Sequence, residues 1–259
     1  MEINLLVINV GNSRLAAGAF VAGELKVVRR VSLEDRSACN EAIKTAFEEV
    51  KGREDVAVVG ASVNPPLIES IEHTITQITG LDVQWVGKQI DLPCKVLTDQ
   101  PEQTGVDRVL AMAAAYEQLQ KACVVVDAGT ALTINCCNDS GDFVGGAIAP
   151  GATVQLEALH EKTAKLPLPP LTAPEGRIGR NTEQAILHGV FHGLRGLVRE
   201  TAENFATEVG NWPEIIATGG DATVLFEGWE LIHAISPDLT LYGIALSYAN
   251  HQIKHGRDD

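Results

Sequence analysis

The chain has 259 residues, 45% hydrophobic and 21% charged, and its 20 Lys and Arg against 34 Asp and Glu give a formal net charge of −14. That length suffices for one large or two small domains with a true core, and the composition is that of an ordinary globular protein. The acidic balance argues against a nucleic-acid partner, which would require a basic face. No apolar run reaches the length of a membrane span, and the opening Met-Glu-Ile-Asn lacks the basic region of a signal peptide.

In chain order, residues 3–10 are apolar almost throughout, which predicts a strand covered on both faces. It leads into Asn9-Val10-Gly11-Asn12-Ser13-Arg14, and strands over 15–21 and 24–31 complete a meander around Ala22-Gly23. A helix is expected over 34–51, with Ala38, Ala42, Ala46, Phe47 and Val50 on one side and Ser32 or Ser37 as its cap. A strand over 55–61 ends at Ser62-Val63-Asn64-Pro65-Pro66, followed by a helix over 67–78 and a strand over 83–86. This alternation indicates an α/β class. Residues 91–103, including Thr98, are polar and contain proline, so a loop belongs there. Thr104-Gly105-Val106-Asp107-Arg108 then opens a helix over 109–120. An Asp in a first helical turn complements the helix dipole, and an Arg beside it is ordinarily solvated.

The second half starts with Cys123 and the run Val124-Val125-Val126-Asp127-Ala128-Gly129-Thr130-Ala131-Leu132-Thr133. This predicts a buried strand, a tight glycine turn and a returning strand, with a carboxylate delivered to the turn. A P-loop is excluded, because no Lys follows the glycine and no helix stands behind it. Backbone N–H groups and hydroxyls in such a hairpin can donate to phosphate oxygens. The N-terminus repeats the device: Asn9 falls on Asp127, Gly11 on Gly129 and Asn12 on Thr130. Two such hairpins can grip a polyphosphate, although two plain glycine hairpins would look the same.

Beyond this, Asp139-Ser140-Gly141-Asp142 is a turn, Gly145-Gly146 allows close backbone approach, and Pro150-Gly151 ends a strand. A helix over 152–162 and a Pro-rich loop over 166–179 follow. Asn181-Thr182 opens the longest helical pattern, about 183–209, and either residue suits the N-cap. Its stripe includes Gly189 and Gly193, which are unfavourable inside a helix and point to a close crossing, within the monomer or with a partner subunit. A strand over 214–218 ends in Gly219-Gly220-Asp221, and a helix over 239–254 closes the chain. The seven His show no ligand spacing. The five Cys are odd in number without a Cys-x-x-Cys, which suits reduced thiols in a cytoplasm.

Taken together, four segments resemble the type III pantothenate kinases, within the superfamily of actin, sugar kinases and heat-shock ATPases. They are Asn9–Ser13, Gly105–Arg108, Asp127–Ala131 running through Gly145-Gly146 to Pro150-Gly151, and Asn181-Thr182. Ala61–Pro65, Thr163–Pro167 and Thr218-Gly219-Gly220 support the match, which spans nearly the whole chain. The resemblance implies two ribonuclease-H-like (actin-like ATPase) domains, 1–118 and 119–259, with a nucleotide cleft between them. It implies ATP-dependent phosphorylation of pantothenate, the first step of coenzyme A biosynthesis, in a cytoplasmic homodimer. ATP contacts are implied for Asn9, Val10, Gly11, Asn12, Ser13, Arg14, Thr130, Gly219 and Gly220. Pantothenate contacts are implied for Thr98, Gly105, Val106, Asp107, Arg108 and Thr182, with Asp107 as general base. Mg²⁺ is expected on the phosphates and a monovalent cation, K⁺ or NH₄⁺, at Asp127.

Three positions depart from the family pattern. Asn9 stands where an Asp is expected to hold the water shell of Mg²⁺, Asn135 where many relatives carry Asp, and Thr98 where many carry Tyr. Asn keeps the shape of Asp without the charge that hard cations favour. The alternative is therefore a kinase-fold binding or regulatory protein weakened or silenced at the metal.

Overall fold

The computed structural model describes residues 3–255. The first half is built from β1 (Asn4–Val10), β2 (Arg14–Val21), β3 (Glu24–Ser32), α1 (Arg36–Val50), β4 (Val56–Ser62), α2 (Pro65–Thr79), β5 (Val83–Trp85) and α3 (Val106–Leu119). The second half runs through β6 (Cys123–Ala128), β7 (Ala131–Cys137), β8 (Phe143–Pro150), α4 (Ala152–Glu161), α5 (Thr182–Val209), β9 (Glu214–Thr218), α6 (Ala222–Phe226), β10 (Ala234–Ile235) and α7 (Leu239–His255).

Each half forms one five-stranded mixed sheet, ordered β3-β2-β1-β4-β5 and β8-β7-β6-β9-β10. The two orders are the same. β1 lies antiparallel to β2 and parallel to β4, and β6 lies antiparallel to β7 and parallel to β9. The register keeps the repeat read from the sequence: Asn9 faces Ala16 and Ala61, and Asp127 faces Thr133 and Thr218. This is the ribonuclease-H-like arrangement, twice.

β1 carries the continuous apolar run of a strand covered on both faces. Leu6, Ile8 and Val10 pack with Ala42, Ile43, Ala46 and Phe47 of α1 and with Ile71 and Ile75 of α2. Leu5 and Val7 pack on the other side with Leu110 of α3 and with Leu241, Ile244 and Tyr248 of α7. All five β1 side chains are 0% exposed, each worth roughly 2 kcal/mol of burial. The second core joins Val124, Val126 and Ala128 of β6 to α4, α5 and α6.

The described residues divide into two compact units: 3–95 with Gln100–Ala114 and 240–255, and Val96–Asp99 with Ala115–Leu239. The sequence division at 118 placed residues 240–259 with the second half, whereas α7 belongs to the first unit. The physical reason is Gly243. A Cβ there would lie 2.2 Å from the carbonyl oxygen of Leu110, so only glycine lets α7 settle on α3. Of the two close crossings open to Gly189 and Gly193, within the monomer or with a partner subunit, the described residues show none within the monomer. Both of those glycines are exposed, and a Cβ on either would meet nothing within 4 Å among the described residues.

Smaller differences have local causes. The cap of α1 is Asp35, whose carboxylate accepts from the Ala38 amide at 2.9 Å, in place of Ser32 or Ser37. Pro65 and Pro66 begin α2, where their missing N–H groups leave no bond unmade. α6 and β10, of five and two residues, are too short to leave a periodic trace.

Candidate functional site

In the first unit, β1 and β2 meet in a tight loop. The Gly11 amide donates to the Arg14 carbonyl at 2.9 Å, and the Leu33 amide donates to the Ser13 carbonyl at 2.9 Å, which ties the loop to the end of β3. Asn12, Ser13 and Arg14 are exposed. Val10 is buried, and its carbonyl accepts from the Val63 amide at 3.1 Å, so its side chain belongs to the core. Asn9 stands one residue earlier on the face of Leu5 and Val7. Its Oδ1 is buried without a hydrogen-bond partner among the described residues. An unpaired buried carbonyl oxygen costs about 1–3 kcal/mol, so it marks a position where a water or a cation completes the structure.

The second hairpin is held more closely. The Gly129 amide donates to the Ala131 carbonyl at 3.1 Å, and the Gly151 amide donates to the Thr130 carbonyl at 2.9 Å. A Cβ on Gly151 would lie 2.0 Å from the Gly129 carbonyl oxygen. Gly219, at a φ of +94°, would place a Cβ 2.4 Å from both the Ala128 carbonyl oxygen and Asp127 Oδ1. The Asp221 amide donates to that same Ala128 carbonyl at 3.0 Å. Two glycines from distant segments thus clasp the end of β6, and Thr130 is left exposed at the tip with Gly220 exposed beside Gly219. Sequence reasoning gave Gly151 only a strand-ending role. Its part in the clasp follows from the return of β8 alongside β7, which a linear reading does not show.

The register puts Thr133 and Thr218 beside Asp127 on one face of the second sheet. Asn135 follows Thr133 on that face, is 0% exposed, and donates from Nδ2 to Thr133 Oγ1 at 3.0 Å. The result is a short polar strip of oxygen-bearing side chains along the sheet. Among the described residues, no group of three or more His, Cys, Asp or Glu is placed to hold a metal. Oxygen donors of this kind suit a weakly held hard cation better than a transition metal. Mg²⁺ also keeps most of its waters and takes phosphate oxygens, so the lone Asn9 Oδ1 is an adequate protein oxygen for it.

The Gly105–Arg108 element begins α3. Asp107 Oδ1 accepts from the Arg108 amide at 2.8 Å, and a Cβ on Gly105 would lie only 2.9 Å from that carboxylate oxygen. Gly105 therefore makes room for the Asp107 side chain. Burial pushes the Asp107 carboxyl above the ordinary carboxylate range, against the Arg108 amide and guanidinium, which pull it down. Desolvation prevails although the first helical turn favours negative charge. A carboxylate with raised proton affinity is suited to general-base work.

Asn181 is the N-cap of α5, its side chain accepting from the Gln184 amide at 2.8 Å, and Thr182 is the exposed first residue of the helix. Gly179 lies against Ala185, where a Cβ would come within 2.4 Å of the amide nitrogen, and this seats the end of the Pro-rich loop on α5. Thr98, part-buried, sits in the segment Val96–Asp99, which the Leu97 amide ties to the Phe143 carbonyl at 2.8 Å. Asn9–Arg14 and Gly105–Arg108 thus belong to the first unit. Thr98, Asp127, Thr130, Thr182, Gly219 and Gly220 belong to the second. Of the histidines, His188 bonds the Glu175 carbonyl at 3.0 Å and His233 accepts from the Ile215 amide at 3.0 Å, both structural contacts.

A family model described as type III pantothenate kinase matches residues 5–204. A type III pantothenate kinase of Dehalococcoides mccartyi strain CBDB1 is 33% identical over 96% of this chain and 97% of its own length. That of Syntrophotalea carbinolica is 33% identical over 96% and 99%. Among solved structures, a conserved protein of Campylobacter jejuni assigned to the Baf family of transcriptional activators aligns with a TM-score of 0.63 at 19% identity, covering 97% of this chain and 99% of its own. MreB5 of Spiroplasma citri bound to AMPPNP aligns with a TM-score of 0.54 at 12% identity, covering 99% of each chain. At those identities the structural matches speak for the fold alone, an α/β actin-like ATPase architecture. The family model and the end-to-end sequence relatives go further: the chain belongs to the type III pantothenate kinase family.

Proposed function

We propose that this protein transfers the γ-phosphoryl group of ATP to the primary hydroxyl of pantothenate, opening coenzyme A biosynthesis. The observation that carries the reading is Asp107, a carboxylate at the start of α3 whose proton affinity burial raises and for which Gly105 leaves space. Asp107 orients the substrate hydroxyl and takes its proton as the oxygen attacks the γ-phosphorus and ADP departs. The Arg108 guanidinium, next in the chain, fits the pantothenate carboxylate through paired N–H donors. Thr182, exposed at the start of α5, and Thr98 are the hydroxyl contacts of the same substrate, with Gly105 and Val106 lending backbone.

The phosphates are assigned to the two hairpins. Asn9, Val10, Gly11, Asn12, Ser13 and Arg14 contribute from one, Val10 by backbone only, and Thr130 contributes from the other. Gly219 and Gly220 offer the adenosine a side-chain-free turn. When bound with the nucleotide, Mg²⁺ neutralises charge on the phosphate oxygens, with Asn9 Oδ1 as the protein oxygen nearest in kind to that task. Asp127 with the Thr218 hydroxyl suits a monovalent cation, K⁺ or NH₄⁺.

A homodimer is part of this reading. Gly189, Gly193 and Gly196 lie exposed in the interior of α5, each less favourable than Ala by about 1 kcal/mol, which supports a surface that a second copy approaches closely. ADP release with pantothenate, ATP, Mg²⁺ and K⁺ tests the proposal. Turnover that needs pantothenate and is lost in Asp107→Asn supports it. Absence of pantothenate-dependent ADP in the folded wild type overturns it.

A further inference from the structure

Outside the assigned site, the least ordinary side-chain pair is at the far end of the β6–β7 hairpin. The register sets Cys123 directly opposite Cys137. Their Sγ atoms are 3.3 Å apart, and Cys137 Sγ also contacts the Cys123 carbonyl at 3.7 Å. Directly opposed residues of antiparallel strands have Cα atoms about 4.5–5.5 Å apart, within the roughly 4.4–6.8 Å that a disulfide spans. Cys136 points to the opposite face, into the core with Val124 and Ile134, and Cys39 and Cys94 lie elsewhere in the first unit.

We propose that Cys123 and Cys137 form a reversible dithiol–disulfide couple, oxidised by hydrogen peroxide or a comparably small peroxide. Both thiols are 0% exposed, yet they occupy the first residue of β6 and the last of β7. Lys121 and Asp139 are already exposed there, and the rim is closed by the Ala122 amide donating to Asp139 Oδ1 at 3.1 Å. Strand ends open at far lower free energy than sheet centres, which gives a small oxidant access.

The chemistry balances without another reagent. The contact between the two sulfurs, in which either thiol can donate, holds one of the pair, Cys137, below the ordinary thiol range, while the same contact and burial push Cys123 up. The Cys137 thiolate attacks a peroxide oxygen: an S–O bond forms, the O–O bond breaks, and the leaving hydroxide takes the thiol proton as water. Cys123 then attacks the sulfenic sulfur: the S–S bond forms, the S–O bond breaks, and a second water leaves with the Cys123 proton. Two thiols are oxidised by two electrons and one peroxide is reduced. The cross-link would brace the two strands of the hairpin, one carrying Asp127 and both leading to Thr130 at its tip. The inference stands independently of the phosphotransfer reading.

The test treats the folded, fully reduced protein with peroxide, alkylates the remaining thiols, and reads intact mass, linked peptides and melting temperature. The expected result is a loss of two hydrogens, one linkage joining Cys123 to Cys137, reversal by a dithiol reductant, and a rise in Tm of about 5 °C. Cys136→Ala should retain all of this, and Cys137→Ala should lose it. Should Cys137→Ala fail to fold, the wild-type peptide map alone decides. Stepwise oxidation to sulfinic acid without a cross-link overturns the proposal. So does a linkage elsewhere, or an intact thiol pair when Cys39 and Cys94 have been oxidised.

Discussion

At the scale of single residues, Asp107 carries opposing demands. Its buried carboxylate is useful as a base because desolvation raises its proton affinity, and the same desolvation weakens the fold. A carboxyl whose folded-state pKa lies above its unfolded value lends stability below the unfolded pKa and loses it as pH rises through the folded one. Above the folded-state pKa that stability is gone. Asp107→Asn should therefore lower kcat by about 10²–10⁴-fold while raising Tm at pH 7. The Tm gain should vanish in acid, where the wild type is itself protonated, so melting curves across pH check the sign directly. For the wild type, the acid limb of kcat/KM should lie above the ordinary carboxyl value of 3.8. Asn9 is the other residue whose chemistry shows. Its Oδ1 lacks a hydrogen-bond partner among the described residues, so Asn9→Asp adds charge where an oxygen ligand is already in place. Roughly tenfold less Mg²⁺ should then give half-maximal turnover, as charge count tunes hard-cation sites. An unchanged Mg²⁺ titration would separate Asn9 from the metal.

Elements rather than residues decide the glycines. Gly151 and Gly219 read in the sequence as a strand stop and a nucleotide turn, and both turn out to be clasps on the end of β6. Gly151→Ala drives a Cβ into the Gly129 carbonyl at 2.0 Å. It should cost about 3 kcal/mol or more and weaken nucleotide binding together with stability, as read by chemical denaturation and ATP titration. Gly193→Ala is the contrasting case, because its Cβ meets nothing within 4 Å among the described residues. In a monomer it should stabilise by about 1 kcal/mol. In a dimer packed on that face it should instead loosen association, which sedimentation over a concentration series detects. The strands and long helices were legible because hydrophobic periodicity is local: β1, β6 and the glycine hairpins stand where the residues put them. The clasps, the Asp35 cap and the short α6 and β10 were not. Each depends on which segment arrives from elsewhere, or is too brief for a period to register.

At the scale of the whole molecule, the repeat is the organising fact. Two sheets share one strand order, and Asn9 and Asp127 occupy the same place in both ladders. The sequence showed this through an Asn-x-Gly matched to an Asp-x-Gly. It did not show that the last helix returns to the first unit, because nothing in residues 239–255 names the surface they cover. The structure supplies it: Leu241, Ile244 and Tyr248 close over Leu5, Val7 and Leu110, and Gly243 alone permits the contact. The first unit is thus incomplete until α7 is made. A chain stopped before Leu239 would leave the Leu5 and Val7 face of β1 bare and should be recovered as aggregate. Gly243→Ala keeps the helix but places a methyl 2.2 Å from the Leu110 carbonyl. It should lose about 3 kcal/mol and loosen α3, which carries Asp107 at its first turn, so kcat should fall with Tm even though α7 supplies no proposed site residue. Hydrogen exchange would locate the damage. Faster exchange in α3 and β1, with β6 and β7 unchanged, is the expected pattern, and uniform loss of protection would mean that the two units unfold as one.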